Sequence, residues 1–261
     1  MLNRLSTFVL TVLIMLCCGC EKTSQSSSPN TGSALRQVND SHADREGDAI
    51  IAERGVDDVL CEGLTSRGLR EGVNKNPDGT AIYVAKGTSC RESGGREDDL
   101  TMRFGAIMDA LAEFAEATMT EITSKESGGD GKDDAKGCVR ETCSHALLKF
   151  GEFNLQATTK IVNKEWGDGD PLNTSSSQEE RRILTRGGRM VGKMVYEETD
   201  DVRKQSLEVD RQLSWEDLVS AFAAEGSTLQ KLKEAKVRHG DGDEFGVVLV
   251  VKGNILKSIH D

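Results

Sequence analysis

The chain has 261 residues, 30% of them charged and 4% aromatic, with a formal net charge of -11 at pH 7. An acidic balance of this size argues against nucleic-acid binding, which leaves a basic electrostatic footprint, and against electrostatic docking on anionic lipid. With so few aromatic residues, a core must be built from Ala, Val, Leu, Ile and Met.

The first segment reads as an export signal over residues 1–19. Arg4 supplies a positive start, Phe8 to Leu16 an apolar stretch, and Gly19 a small residue directly before Cys20. Such signals combine a basic end, roughly 7–15 apolar residues and small residues at the cut. A membrane span needs about 20 apolar residues, so this run is too short to be one. Leu16-Cys17-Cys18-Gly19-Cys20 resembles the lipobox of bacterial lipoproteins at Gly19 and Cys20, while Cys17 stands where the family usually carries Leu. The resemblance implies cleavage before Cys20, a diacylglyceryl thioether on its sulfur, and often a third acyl chain on the new amino end. Buried lipid methylenes contribute about 0.8 kcal/mol each, so two or three chains anchor firmly. A cleaved signal releasing a free periplasmic protein is the alternative. In the family an Asp after the cysteine retains a lipoprotein at the inner membrane; Glu21 is a weaker cue of that kind, which favours the outer membrane. Residues 20–47, which run on from Cys20 as Glu-Lys-Thr-Ser-Gln-Ser-Ser-Ser, read as a disordered tether.

Beyond the tether, residues 48–127 are expected to form an N-terminal α+β half. Short helical pieces carry Ile50, Ile51, Val56, Val59 and Leu60, and Asn76-Pro77-Asp78-Gly79 makes a turn. Ala81 to Ala85 follow as a strand. From Leu100 to Ile122, the residues Phe104, Ile107, Met108, Leu111, Ala115, Met119 and Ile122 recur at three- and four-residue steps, one face of a long amphipathic helix. Asp109, Glu113 and Glu116 fall off that stripe.

Residues 128–137 read as a flexible break between two halves, and 138–261 as a C-terminal α+β half. There Val139 to Phe150 suggest a helix and Thr158 to Trp166 a strand. Ser214 to Asp217 form a helix-capping signature ahead of Trp215, Leu218, Val219 and Phe222. Thr228 to Val237 and Phe245 to Lys252 form a terminal hairpin, its second strand apolar enough to be buried on both faces. The elements together predict an α+β fold: a long amphipathic helix packed on a small, mostly antiparallel sheet, closed by a C-terminal β-hairpin.

Tyr83-Val84-Ala85-Lys86-Gly87, then Arg103, Phe104 and Ala106 with Ala110 and Ala112, and finally Glu244 to Val248 resemble exported bacterial domains of the lipoprotein-twenty type. The resemblance covers residues 55–252 and implies an envelope or surface role without known catalysis. It supplies no active-site residues.

Four cysteines remain once the signal is removed and Cys20 is acylated: Cys61, Cys90, Cys138 and Cys143. An even number in an exported protein suggests disulfides, with three pairings open. Proximity in sequence favours Cys61–Cys90 and Cys138–Cys143, although a helical 138–143 would turn the second pair apart. A zinc site would need another ligand pattern than C-x4-C with His145, so no metal is expected.

Gly187 to Met194 match the phosphate-binding loop except that Met194 replaces the Ser or Thr that holds magnesium. The charged Glu179 to Arg182 before it and Glu197-Glu198 after it give the wrong context, so a strand and no nucleotide are expected. Acidic segments 130–141, 168–179 and 241–252 resemble calcium loops, but Lys132 takes a ligand position, Ala135 and Asn173 replace the turn glycine, and Lys252 stands where the bidentate Glu belongs. Ser144 and His145 are adjacent and diverge; His42 and His260 lie near the ends, and His239 stands beside a turn. No catalytic residues or cofactors are therefore proposed. The sequence points to a lipid-anchored envelope protein with a non-catalytic binding or structural role. Its expected partners are the membrane, another envelope protein or itself. The alternative is an exported enzyme whose site is assembled from residues distant in sequence.

Overall fold

The computed structural model describes residues 50–51, 55–76, 78–92, 95, 97–128, 137–166, 174–199, 202–240 and 242–259. In chain order these form β1 (Ile50–Ile51), α1 (Val56–Thr65), β2 (Gly72–Lys75), β3 (Ala81–Glu92) and α2 (Asp99–Met119). Then come β4 (Thr120–Gly128), β5 (Gly137–Phe150), β6 (Phe153–Trp166), β7 (Thr174–Arg186), β8 (Arg189–Thr199) and β9 (Val202–Val209). The chain closes with α3 (Trp215–Ala224), β10 (Ser227–Arg238), β11 (Gly242–Gly253) and a 3-10 helix at Asn254–Ile259.

The strands make two sheets. One has the order β1-β10-β11-β3-β2, antiparallel apart from the two-residue β1; the other runs β4-β5-β6-β7-β8-β9 as consecutive antiparallel hairpins. Two of those hairpins turn on glycines that reach positive φ cheaply: Gly151 between β5 and β6, and the pair Gly187-Gly188 between β7 and β8, with φ of 55° and 80°.

The α+β expectation is overturned. The protein is mostly β, and α2 lies between two sheets instead of on one small sheet. The residues read as a helix, Val139 to Phe150, are strand β5, with Ala146, Leu148 and Phe150 buried while His145, Leu147 and Lys149 between them are exposed. That period of two belongs to a strand with one solvated face. β11, expected to be buried on both faces, sits in the middle of its sheet between β10 and β3. The halves drawn at 128–137 therefore share that sheet, and the described residues all fall in one unit running from Ala43 to Asp261.

Alternation explains the layering. On β3, Tyr83 and Ala85 face the main core with α2, whereas Ile82 and Val84 face a second cluster with Leu60 and Leu64 of α1. On β11, Val247, Leu249 and Val251 join the first cluster, and Val248 and Val250 the second. The five-stranded sheet is thus covered on both faces, which is why β11 is almost continuously apolar. On its other side α2 meets Leu148 and Phe150 of β5, Leu155 of β6, Leu184 of β7 and Met194 of β8.

Small residues let the helix approach. A Cβ on Gly87 of β3 would collide with the Ala106 carbonyl and Ala110, and one on Gly192 of β8 would press on the Met108 sulfur. Both helix starts of this core are capped: Asp98 accepts from Thr101 N at 2.7 Å, and Ser214 and Asp217 form the capping box their sequence announces.

Phe114 of α2 is fully buried, its ring 5.0 Å from that of Tyr83 and tilted at 59° to it. Phe114→Ala should cost about 3–5 kcal/mol in urea unfolding, whereas Leu100→Ala, on the exposed side of the same helix, should stay within about 0.5 kcal/mol.

Candidate functional site

The most concentrated chemistry in the described residues lies along one side of α2. Asp109, Glu113 and Glu116 follow at steps of four and three residues, so they line one helix face. Sequence reasoning set them aside as lying off the apolar stripe. In the structure they are partly buried, Asp109 most and Glu116 at 33% exposure least, because that side of the helix meets the open edge of β3.

β2 pairs with β3 only as far as Gly72↔Val84. Past that point the outward N–H groups of β3 have no strand partner, and side chains supply the acceptors. Lys86 N–H donates to Glu113 Oε2 at 3.0 Å, Thr88 N–H to Asp109 Oδ2 at 2.9 Å, and Cys90 N–H to Gln205 Oε1 of β9 at 3.0 Å. The every-second-residue spacing of these donors is the strand's own pleat.

The charge on this row is met by Arg182 of β7, whose side chain is 6% exposed. Its Nε lies 3.2 Å from Asp109 Oδ1 and its Nη2 lies 3.5 Å from Glu116 Oε1, and the guanidinium also pairs with Glu180. It stacks 5.6 Å over the Tyr196 ring, which Arg203 flanks at 4.4 Å, and Tyr196 OH donates to Thr88 O at 3.4 Å.

Burial pushes the Glu113 carboxyl up to about 8, with Glu71 adding repulsion and the Lys86 N–H opposing it. Burial also raises Glu116 and Asp109, against the pull of Arg182. The Lys86 ammonium lies where burial would lower its pKa, yet its bonds to Asp57 and to Glu71 at 2.6 Å together outweigh that and raise it. At the far end of the five-stranded sheet, Asp243 is desolvated but faces Arg91, Arg238 at 3.0 Å and Lys236 at 3.4 Å, which hold it at about 2.

Every carboxylate of the row is committed to a protein partner. Two surface depressions, one over Trp215, Val219 and Thr228 to Lys231 and the other beside Arg186, Arg189 and Asp210, do not include it. Among the described residues, no three His, Cys, Asp or Glu side chains are placed to hold a metal ion. The row is an internal fastening of helix to sheet.

The residues named from the sequence are scattered. Cys20 lies outside the described residues, as do His42 and His260. Cys61 is a free thiol on α1, 3.6 Å from Lys86 Nζ, with a pKa raised by burial; it is not joined to Cys90, whose Sγ lies 3.2 Å from Gln205 Oε1 on β3's edge. Cys143 is a free thiol on β5, and the side chain of Cys138 lies outside the described residues. Five residues apart on one strand, positions 138 and 143 have backbones about 16 Å apart, beyond the reach of a disulfide. Ser144 and His145 diverge across the same strand, with His145 Nδ1 3.2 Å from Thr158 Oγ1. Residues 187–194 form a tight hairpin turn and strand, without the helix that a phosphate loop opens. Of the calcium-like segments, 130–136, 168–173 and Asp241 lie outside the described residues, and Asp243 is occupied by basic side chains.

Gly87 of β3 seats α2 at Ala106 and Ala110, and Phe245 of β11 pairs with Ser89 of β3. No known protein family, no curated protein and no solved structure matches this chain.

A carboxyl whose pKa rises on folding contributes stability that is full below its unfolded value and lost as pH rises through its folded one. For Glu113 that window runs from 4.5 to about 8. Glu113→Gln keeps an acceptor for Lys86 N–H and removes the charge. In urea unfolding from about pH 5 to about pH 9 the variant should gain on the wild type, its stability slope shallower by up to about 1.4 kcal/mol per pH unit. Equal slopes would mean that Glu113 is already ionised in the folded protein. Arg182→Met strands the buried carboxylates and should cost about 3–5 kcal/mol at neutral pH in the same assay.

Proposed function

We propose that this is a lipid-anchored protein of the bacterial cell envelope, held by acyl chains on Cys20 and acting by binding or scaffolding instead of catalysis. The observation that carries the reading is Gly19-Cys20 behind a short apolar run and ahead of a polar tether. Glu21, in place of Asp, favours the outer membrane. The folded residues are in keeping with that role. They give their polar chemistry to internal fastening, and the six-stranded sheet turns an uncovered face outward, where His145, Leu147, Lys149, Gln156 and Arg181 are exposed. A broad face of that kind suits contact with another envelope macromolecule better than enclosure of a small substrate.

The test is the intact mass and membrane partition of the natively expressed protein beside its Cys20→Ala variant. The wild type should begin at Cys20, carry acyl mass and fractionate with membranes, and the variant should lose both. A soluble, unacylated wild type overturns the proposal.

A further inference from the structure

β4 borders the six-stranded sheet and pairs with β5 without a register shift, from Thr120↔Ala146 to Gly128↔Cys138. On its other side no strand of the described residues lies beside it. Glu121 to Glu126 are all exposed, and Ile122 at 55% is among the most exposed large apolar side chains described. The remaining sheet borders are each blunted. β2 has four residues. β10 carries Lys231, Lys233 and Lys236 with a register shift between the first two, and β1 covers its end. β9 lies beside β3, joined to it through Gln205. Short length, lysines, bulges and cover are the usual means of disarming an edge, and a long straight edge without them is a template for another strand.

We propose that β4 pairs antiparallel with β4 of a second copy of this chain, about a two-fold axis through Thr123, making one continuous sheet from two six-stranded ones. The strand's own charges select this register. With Thr123 facing its symmetry mate, Glu121 faces Lys125 and Ile122 faces Ser124, and the two-fold axis repeats each pairing. A two-fold keeps each side chain on its own face, so the axis can move only by whole residues. Through Ser124 it sets Lys125 against Thr123 and Glu126 against Ile122, and through Ile122 it sets Glu121 against Thr123, so neither neighbouring register pairs opposite charges. In the chosen register the two Ile122 side chains are diagonal neighbours on one face, within reach of each other, so the exposed apolar group gains a partner. The pairing goes beyond the envelope reading, because it needs no acyl chain.

The test uses the full-length protein in mild detergent, gently oxidised and run on non-reducing gels. Thr123→Cys should yield a product of twice the chain mass well above wild type, since facing residues on paired strands stand within disulfide range. Glu126→Cys, six residues from its own mate, should not exceed wild type. Added to Thr123→Cys, either Glu121→Lys or Lys125→Glu should cut the doubled product several-fold, and both together should restore it. Absence of the doubled product, equal cross-linking by Glu126→Cys, capture of a different polypeptide through Thr123→Cys, or failure of the charge exchange to restore it would each overturn the proposal. These outcomes do not depend on acylation, which the mass of the same samples reports separately.

Discussion

An unpaired strand edge inside a folded protein has to find acceptors for its N–H groups, and that requirement organises this molecule. β3 runs on for eight residues past its last partner in β2. At Lys86 and Thr88 water has little access, because α2 closes over the edge, and only at the more exposed Cys90 does the strand come near solvent. Glu113, Asp109 and Gln205 accept the stranded N–H groups in its place, so the long helix is tied to the strand as well as packed against it. A buried amide without a partner costs more than a typical hydrogen bond contributes, which makes this satisfaction a condition of the fold.

The solution has an electrostatic cost that the rest of the structure answers. Carboxylates taken out of water resist ionisation, and a row of three invites mutual repulsion. Arg182 enters from the opposite sheet to neutralise it, braced by Tyr196 and Glu180. The two sheets are thereby joined through a polar seam as well as an apolar core. The seam also fixes the rotation of α2 about its own axis, which its Ala-rich apolar surface would specify only loosely. Glycines at 87 and 192 set how near the helix comes to each sheet, and the charges set which way it faces.

Some of this was legible in the sequence and some was not. The α2 stripe, the Ser214 cap and the doubly buried run of β11 rest on local periodicity and local capping chemistry, which a single chain displays. β5 was misread because Ala146, Leu147 and Leu148 are consecutive helix formers, and Leu147 sits at 43% exposure on the solvated face, hiding the alternation. β7 was hidden by Glu179 to Arg182, whose charge suggests a loop until one sees that Arg182 points inward to meet α2. Gly187-Gly188 is a strong hairpin signal that its resemblance to a phosphate loop obscured. The spacing of Asp109, Glu113 and Glu116 is plain in the chain, but their burial depends on where β2 stops pairing, a fact about a distant strand that no local pattern carries.

The passage from α2 into β4 contains no loop at all: Met119 ends the helix and Thr120 begins the strand. A helix of this length is about 31 Å from end to end. At its start, Asp99 is clasped by Lys236 at 2.8 Å and by Arg91 at 3.2 Å. A tug on the rim strand has no slack segment in which to dissipate. It travels as a pull along a stiff rod to the ionic latch at the helix's start, so the outermost strand and the innermost helix are coupled as one mechanical part.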